Sequence, residues 1–472
     1  MNNKPWRRLQ ASIFLLAAAT AMPALALDPF YLNVNVSSTT GAIGHYEQGY
    51  SKLEDAINQL DFNQLRQHTP AYANGNEAVN VGFYLRGLTV TMLFPDDTLS
   101  QSTTSSVLTF RVPNAQIDTQ FTGTGASIPE ARADAIRQLK DYLKKNKPAL
   151  RRLLNAFARY SPIDPLAGNP DSLFGQRMKN DFSHGFTNKV SQIWGCSTSA
   201  FNFSNDAPIQ VASNGGTGDI FADAQARQNA LQAQNEVGIG LMASSTQAKV
   251  DPSGGAPGGT FATMSLTLPF SYTAKLDSDP RKKIRVDLPL TYSDSEGASS
   301  YSLGLGLAYT HPLTDEWSLT PAVGVGAAGS QDLGSAGGVG SYSLTSAYTW
   351  RFDAVALSMG NSIGQYQSLG FKIGDVEAEA DIKNTVFTNG FLLTGPNSLI
   401  SKNLVVEYSL IDTRITGDEV YTDSSDEIGV ALGHISTDQG VIDSYTKLGL
   451  SYLMAKGVGD INSIRLTLTS RF

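Results

Sequence analysis

Few residues in this chain are suited to acid–base or metal chemistry. No two of its five histidines have the spacing of paired metal ligands, and its single cysteine, Cys196, cannot form a zinc site or an intrachain disulfide by itself. The histidines are His45, His68, His184, His311 and His434. The sequence therefore predicts no metal site and no bound cofactor.

One histidine has a serine two residues away, and such a pair could supply a general base and a nucleophile. The pair is His434 and Ser436, but no carboxylate or carboxamide that would orient the histidine is identifiable. PDSLFG at 170–175 lacks the flanking glycines of a nucleophile elbow. The segments GTGDIF and GGVGSY do not lead from a buried strand into a helix, as a phosphate-binding loop would. We therefore expect the chain not to be an enzyme.

The first 26 residues predict export as a signal peptide. Lys4, Arg7 and Arg8 form a positive region, residues 11–21 form a short apolar core, and Ala24-Leu25-Ala26 supplies the small-x-small pattern that signal peptidase requires. The apolar run is shorter than the ~20 residues of a spanning helix, so a membrane anchor is the less favoured alternative. The mature chain is expected to begin at Leu27.

The composition limits the remaining classes. The 472 residues allow about two or three domains. The formal net charge is -8, so no basic field exists to attract nucleic acid. Hydrophobic residues make up 41%, yet no window after the signal peptide is apolar for long enough to form a spanning helix. A membrane role would therefore need a β-barrel, the other structure that satisfies every backbone polar group in lipid.

Residues 27–160 predict a small α+β domain. A capping box, Ser51 with Glu54, precedes a helical run to Leu65. Two further helices are expected on either side of a break at Pro148, and apolar residues recur there with helical spacing. These helices cover 132–143 and 150–160, and the β-rich segments lie at 79–94, 107–112 and 116–121.

The last two helices of this domain are strongly basic. Their cations are Lys140, Lys144, Lys145, Lys147, Arg151, Arg152 and Arg159. A solvated helix face is the simpler interpretation and the one that we favour. Contact with anionic lipid headgroups or with an acidic partner is the alternative.

The next two segments differ in composition. Residues 161–218 predict a linker, because SPIDPLAGNPDS and the polar run after it are rich in residues that favour turns. Residues 219–236 predict a short helix of mainly Ala and Gln, which leads directly into a segment with strand periodicity.

From residue 237 to the last residue, apolar and polar side chains alternate with a period of two. In the final segment Ile464, Leu466, Leu468 and Phe472 share one face, whereas the intervening positions from Arg465 are mostly polar. The same alternation recurs at 262–272, 284–292, 303–309, 404–410 and 448–454. This pattern predicts tilted strands of about eleven residues that cross an outer membrane.

About twelve such segments can be counted, and closed bacterial barrels require an even number. The connections fall into two sets, one for each end of the barrel. The first set comprises 251–259, 293–300, 330–338, 372–375, 418–427 and 456–460, and the second comprises 278–282, 311–316, 352–353, 395–402 and 436–441. If both ends of the barrel chain face the periplasm, the first set is external.

A soluble antiparallel sandwich or solenoid would also alternate. Two features count against it: the strands exceed the ~5–6 residues of soluble sheets, and Tyr and Trp gather at strand ends, where interfacial girdles lie. These aromatic residues are Tyr309, Trp317, Tyr348, Trp350 and Tyr408. We therefore predict a transmembrane antiparallel β-barrel over 237–472, in the outer membrane of a Gram-negative bacterium.

The ending RLTLTSRF resembles the carboxy-terminal assembly signal of outer-membrane barrels, in which alternating apolar residues end in an aromatic residue. The matching positions are Leu466, Leu468 and Phe472. This resemblance implies that the barrel assembly machinery is a partner.

A short helix before a twelve-stranded barrel resembles the translocator domain of autotransporters. The resemblance covers 219–472 and implies that the helix threads the pore and connects an upstream passenger to the barrel. Residues 27–218 depart from the family because they look compact and lack the repeated strands of a β-helical passenger. They are more similar to a compact domain on a solitary autotransporter-type barrel, or to the periplasmic domain of a plugged secretion channel.

Small inward-facing residues, among them Gly304, Gly306 and Gly324, would leave room for a helix about 10 Å across. Charges on the helix and on the wall are candidates for pairing within the lumen. The helix contributes Asp223, Arg227 and Glu236, and the wall contributes Arg285, Asp287, Arg351, Glu407 and Lys447.

His434 and Ser436 also allow an enzymatic alternative, because they resemble the His-x-Ser arrangement of outer-membrane lipid hydrolases. Alternation predicts that both residues face lipid, near the periplasmic rim. A rim histidine beside a turn is the simpler interpretation.

The favoured function is anchoring, display or translocation of a polypeptide through an autotransporter-type barrel with a helix in its lumen. A porin-like or secretion channel with a periplasmic domain and a plug is the alternative, and a lipid hydrolase is the third. The expected partners are outer-membrane lipids, the barrel assembly machinery and a secreted cargo or surface ligand, without nucleic acid.

Overall fold

The structure is a computed structural model of the chain. It describes residues 27–37, 41, 43–97, 104–186, 235–250, 258–276, 278–352, 355–373, 376–378, 380–396, 404–436 and 444–471. The predicted signal peptide, Cys196 and all of the predicted pore helix before residue 235 lie outside these residues.

Residues 27–160 form an α+β domain, which we name the cap domain. Its strands are β1 (Phe30–Ser37), β2 (Ile43–Tyr50), β3 (Ala78–Leu85), β4 (Leu88–Phe94), β5 (Ser105–Val112) and β6 (Ile117–Thr124). Its helices are α1 (Leu53–Asn58), α2 (Phe62–His68), α3 (Ile128–Lys145) and α4 (Lys147–Tyr160), with a 3-10 turn at Pro113–Ala115. The strands form one antiparallel sheet in the order β2-β1-β3-β4-β5-β6.

The core of the cap domain lies on one face of this sheet, because alternate residues of a strand point to the same side. Phe30, Leu32 and Val34 of β1 have no exposed surface, and neither does Leu108 of β5. Helix α3 packs on β5 and β6 and buries Ala135 completely. The cap domain therefore has a continuous hydrophobic core, which extends to Phe261, Ala298 and Leu333 of the barrel.

Three local features differ from the sequence prediction. Strands β1 and β2 were not predicted. The single β-rich stretch at 79–94 is a hairpin, whose tight turn places Arg86 and Gly87 at positive φ values of 50° and 109°. The expected helix through Leu65 is two helices, because Asp61 accepts a hydrogen bond from Asn63 N and starts α2 anew.

The carboxy-terminal part is a closed antiparallel barrel, as predicted. Its twelve strands are β7 (Glu236–Val250), β8 (Gly259–Leu276), β9 (Asp279–Ser295), β10 (Ala298–Pro312), β11 (Trp317–Ser330), β12 (Ser335–Arg351), β13 (Ala356–Leu369), β16 (Lys383–Pro396), β17 (Leu404–Gly417), β18 (Thr422–Ser436), β19 (Ser444–Gly457) and β20 (Ile461–Arg471). A small hairpin, β14 (Phe371–Ile373) and β15 (Val376–Ala378), extends the connection between β13 and β16. The barrel closes where β20 pairs with β7.

The two ends of the barrel are distinct. We name the end at which β7 begins and β20 ends the terminal mouth, and the opposite end the cap mouth. The cap domain lies at the cap mouth, where Leu27 N donates to Thr260 O and Leu53 N donates to Asp332 O. Tyr421 N, in the turn between β17 and β18, donates to a carbonyl at the end of α4.

Residues 161–186 differ most from the prediction, which made them part of a linker. They leave the cap domain at the end of α4, enter the barrel and form helix α5 (Leu173–Gly185). We name residues 161–186 the plug segment. Almost all of its residues are buried, so its polar composition reflects a polar lumen rather than exposure to solvent. None of the described helices is long and apolar enough to cross a membrane.

Candidate functional site

The candidate site is the barrel lumen, in which α5 lies against β10, β11, β12 and β13. Near the cap mouth, a Cβ built on Gly326 would lie 2.7 Å from Leu173 Cδ1. Towards the terminal mouth, a Cβ on Gly185 would lie 3.2 Å from Thr320 Cβ and would also crowd Thr345. The helix therefore runs along the wall from one mouth towards the other.

Glycines on the wall allow this close approach. A side chain at Gly324 would overlap the guanidinium of Arg177, and a side chain at Gly360 would overlap the ring of Phe186. At Gly390 a Cβ would lie 2.7 Å from Phe186. The small inward residues of the sequence thus form a surface on which the helix packs.

The entrance to the lumen is held by a buried network centred on Asp171. Arg465 of β20 donates to Asp171 Oδ1 through Nε at 3.1 Å and through Nη2 at 2.8 Å. Thr246 and Ser244 of β7 donate to the other oxygen of the same carboxylate at 2.6 Å and 3.0 Å. Arg465 Nη1 also donates to Glu427 Oε2 of β18 at 2.8 Å. One carboxylate on the plug segment therefore binds both strands that close the barrel.

A second charged cluster lies along α5. Arg177 and Asp181, one turn apart, form a buried ion pair, and Arg177 Nη1 lies 3.8 Å from Asp287 Oδ2 of β9. His184 Nε2 lies 2.5 Å from Asp287 Oδ1, and both residues are more than nine-tenths buried. These contacts join the helix to the wall, because buried charges require partners of opposite sign.

Because α5 lies to one side, a cavity of about 290 Å³ remains between it and the opposite wall. Lys447 and Glu407 form an ion pair of 2.5 Å in this wall, and Lys179 of α5 lies 3.6 Å from Glu427. The lining extends to Ser470 near the terminal mouth. The cavity thus contains both signs of charge and many small polar residues.

The charged residues that were predicted to face the lumen do not all lie there. Arg285, Asp287, Glu407 and Lys447 line the cavity, whereas Arg351 is exposed at the end of β12. Asp223 and Arg227 lie outside the described residues.

Glu236 differs from the prediction, which put it on the pore helix. It begins β7 instead, and its carboxylate lies 2.8 Å from Lys275 Nζ of the neighbouring strand. The charges on the barrel wall were expected to pair with charges on a helix at 219–236. Asp287 pairs instead with Arg177 and His184 of α5, a helix that the sequence reasoning missed. Glu407 and Lys447 pair with each other.

A sequence signal for α5 did exist. Phe174, Met178 and Phe182 recur every four residues, and Arg177 with Asp181 is a favourable pair at the same spacing. The helix was missed because its polar residues and the preceding prolines resemble a loop. Ser172, within the segment PDSLFG, is the N-cap residue of this helix.

The other residues that the sequence singled out for catalysis, metal binding or assembly do not form a common site. His434 and Ser436 end β18 at the terminal mouth, as the strand count predicted. No group of three or more His, Cys, Asp or Glu residues within the described ranges could hold a metal ion. Leu466 and Leu468 lie in β20, and Phe472 is outside the described residues.

The junction between cap and barrel contains a buried arginine. Arg86, at the tip of the β3–β4 hairpin, lies 3.5 Å from Asp164 Oδ2 and 4.0 Å from the ring centroid of Phe157. Burial lowers the pKa of the Arg86 guanidinium, and the neighbouring carboxylate opposes this effect. Ser335 of β12 donates to the same Asp164 oxygen at 3.2 Å. Cap, plug and barrel therefore meet at Asp164.

The basic helix α4 has acidic partners within the chain. Arg159 forms an ion pair with Glu419, and Arg151 lies 3.9 Å from Asp381. Asp381 N also donates a hydrogen bond to Asn155 Oδ1 at 2.9 Å. Part of the positive charge predicted for this helix thus holds it to the connections at the cap mouth.

The outer surface of the barrel is apolar along its whole circumference. Leu288 of β9, Val325 of β11 and Leu450 of β19 are each between 41% and 50% exposed, as are many other outward side chains. Near the terminal mouth the rings of Tyr348 and Trp350 have centroids 4.8 Å apart, and Trp317 is paired in register with Tyr348. A closed barrel with such a surface satisfies its backbone internally and is stable in lipid. The chain is an outer-membrane β-barrel protein.

Comparison with known proteins finds similar solved structures but no match in sequence. No family model and no curated protein matches the sequence. The translocator domain of autotransporter NalP from Neisseria meningitidis is 12% identical, covers 54% of this chain and 95% of its own, and has a TM-score of 0.40. The beta domain of the Bordetella autotransporter Brka is 11% identical and covers 50% of this chain and 98% of its own, with a TM-score of 0.34. A Pseudomonas aeruginosa FadL homologue is 7% identical and covers 52% of this chain and 92% of its own, with a TM-score of 0.32.

Proposed function

We propose that this barrel anchors its own cap domain and displays it at the cell surface, in the manner of an autotransporter. The observation that carries the proposal is the path of the chain. The cap domain lies at the cap mouth, and α5 runs down the lumen from that mouth towards the terminal mouth, where β7 begins. A chain that is threaded through its own barrel connects a domain on one side of the membrane with strands that start on the other.

The side of the membrane that the cap domain faces depends on the side on which the barrel strands begin and end. An even number of strands brings both ends to the terminal mouth, and we take this mouth as periplasmic because the chain reaches the membrane from the periplasm. The β13–β16 connection, which carries the β14–β15 hairpin, is then external, in keeping with the longer outer loops of such barrels. The cap domain would accordingly face the medium.

The plug segment would serve as a permanent tether. Its buried ion pairs with β9 and β20 would oppose withdrawal of α5, since separating them leaves uncompensated charges in the lumen. We propose that this function requires no covalent chemistry. The exposed face of the cap sheet would be available to a surface ligand.

The test is protease shaving of intact cells with two tagged variants. One variant carries an epitope and a specific protease site at Gly41, an exposed turn with no other atom within 4 Å of a Cβ built there. The matched control carries the same insertion at Asp315, an exposed turn residue at the terminal mouth. We expect intact cells to lose the Gly41 tag and keep the Asp315 tag until the outer membrane is permeabilised. The reverse pattern would place the cap domain in the periplasm and overturn display.

A gated channel is a second candidate, favoured by the cavity beside α5. In this proposal α5 is a removable plug and the polar cavity is the beginning of a conduction path. Planar-bilayer recordings of the purified protein would test it. Solute-dependent opening of the unmodified barrel would support a channel, whereas a persistently closed barrel would support the tether.

We also propose that the barrel assembly machinery recognises the last strand. Leu466 and Leu468 alternate with residues that face the lumen, among them the buried Arg465. A recognition surface on β20 would lie beside β7, the strand with which it closes the barrel.

A further inference from the structure

The outer wall of the barrel has an apolar groove beneath the cap domain. Its volume is about 1100 Å³, which exceeds the ~300–1,000 Å³ of ordinary small-ligand pockets. Outward residues of β8 to β12 line it from the barrel, and Leu150 and Leu154 of α4 line it from the cap domain. The groove is therefore a recess between a membrane-facing surface and a helix that overhangs it.

The barrel residues that line the groove lie in two rows across the strands. Strand register places Leu268, Leu290, Leu303 and Ala327 in one row across four strands. A parallel row ends in small residues, of which Gly329 and Ala336 are paired neighbours on β11 and β12. Large side chains thus give way to small ones as the rows approach the cap mouth.

Two tyrosines lie in the second row. Tyr292 and Tyr301 are paired in register, and their ring centroids are 5.4 Å apart. The Tyr292 hydroxyl lies 3.2 Å from Ser299 Oγ, near the turn that joins β9 to β10. Amphipathic rings of this kind lie where the acyl region of a bilayer meets its headgroups. The position of the pair therefore puts the upper part of the groove at headgroup level.

Helix α4 brings positive charge to the same place. Lys147 and Arg151 are one turn apart, and each precedes a groove-lining leucine by three residues. Residues three apart lie on the same side of a helix, so these cations border the leucine face. Lys144 and Lys145, in the last turn of α3, are also exposed. The two cations of α4 thus border the apolar recess.

We propose that this groove binds an anionic, phosphorylated membrane lipid. Its acyl chains would occupy the recess formed by Ala327, Gly329 and Ala336, and its phosphate would lie at Lys147. Long cationic side chains suit this role because their stems cover apolar surface while the charge stays at the headgroup. The lipid would fill the space between cap domain and barrel wall, so the membrane itself would become part of the interface.

The test is native mass spectrometry of the full-length protein in neutral detergent, titrated with phosphatidylglycerol or with the phosphorylated glycolipid of outer membranes. Ala336→Phe fills the groove, and its control is Val430→Phe, another outward position on strand β18 across the barrel. Lys147→Glu reverses one cation, and its control is Arg66→Glu on α2. Arg151 is retained because it also faces Asp381.

We expect Ala336→Phe and Lys147→Glu each to weaken lipid binding at least about fivefold, and both controls to bind as the wild type does. Excess inorganic phosphate should not displace the lipid, because the acyl chains contribute to binding. Equal binding by Ala336→Phe and Val430→Phe would overturn the proposal. So would displacement by phosphate alone, or equal binding of an uncharged diacylglycerol.

Discussion

Arg465, on the last barrel strand, donates two hydrogen bonds to one oxygen of Asp171, which precedes the helix in the lumen. Both side chains are almost completely buried. Removing one partner of such a pair leaves the other charge buried without compensation, at a cost of about 3–5 kcal/mol. The contact is therefore the point at which the plug is most sensitive to substitution.

Arg465→Ala should release the plug segment. We expect larger single-channel conductance and faster proteolysis within residues 161–186, both measured on purified protein in bilayers or detergent. Arg281→Ala is the control, because Arg281 is an exposed arginine at the terminal mouth. Arg465→Met combined with Asp171→Ala should be less harmful than the single changes together, since no unpaired charge remains. Additive effects would argue against direct coupling.

Gly360→Leu should prevent α5 from seating, because its side chain would occupy the position of the Phe186 ring. Overpacking of this kind typically costs about 1–3 kcal/mol, and here the mobile partner is the helix rather than the wall. The measurement is limited proteolysis of the plug segment together with thermal unfolding. Ser409→Leu, which projects into the cavity away from the Phe186 ring, should leave the plug protected. Equal protection of both variants would show that helix and wall are not in close contact.

Arg86→Met should destabilise the junction between cap and barrel. The substitution keeps much of the side-chain volume but leaves Asp164 without its cation, so we expect a loss of about 3 kcal/mol or more. Arg111→Met is the control, since Arg111 pairs with Asp118 on the exposed face of the sheet, where such pairs contribute about 0–1 kcal/mol. Thermal unfolding of the cap domain, followed in the full-length protein, distinguishes them. Similar unfolding temperatures would contradict a structural role for Arg86.

Leu450→Arg should destabilise the barrel in lipid by about 2–4 kcal/mol if this outward residue lies near the midplane of the bilayer. Leu450 is 50% exposed, and so is Val458, in the turn between β19 and β20 at the cap mouth. Val458→Arg is therefore a control of equal exposure outside the apolar surface. Urea unfolding in lipid vesicles measures the difference. Equal losses of unfolding free energy would mean that exposure alone, and not depth in lipid, determines the cost of an arginine on this wall.

Phe472→Ala should lower the amount of folded protein in the outer membrane, because the resemblance of the ending RLTLTSRF to an assembly signal rests partly on this residue. Leu448→Ala on the neighbouring strand removes a comparable apolar group without touching the ending. Heat-modifiability on gels measures the folded fraction in isolated membranes. Should both variants assemble equally well, recognition of the last residue would be unnecessary.

The barrel could be predicted from sequence because each strand carries its own alternating pattern, whatever its neighbours are. Each strand must present apolar groups to lipid and small or polar groups to the lumen, so a period of two persists from residue 237 onwards. Leu303, Leu305 and Leu307 show this plainly, since all three are exposed on the outer wall while their neighbours face inward.

The plug could not be predicted in the same way. A helix in a polar lumen has no need of a broad apolar face, so Arg177, Lys179 and Asp181 made its sequence resemble a loop. Its partners Asp287 and Arg465 are distant in the chain, and only the closed barrel brings them together. Strand β1, in contrast, has alternating apolar residues from Phe30 to Val36, and this pattern is typical of a strand. The strand was missed because it follows the predicted signal peptide directly.

The position of Asp171 has a consequence for the order of assembly. Its carboxylate binds Thr246 on the first barrel strand and Arg465 on the last, so its ligands are complete only after those strands have paired. A sheet that is still open would offer the plug at most half of them. We therefore expect seating of the helix to be coupled to closure of the barrel, because only the closed barrel offers Asp171 all of its partners.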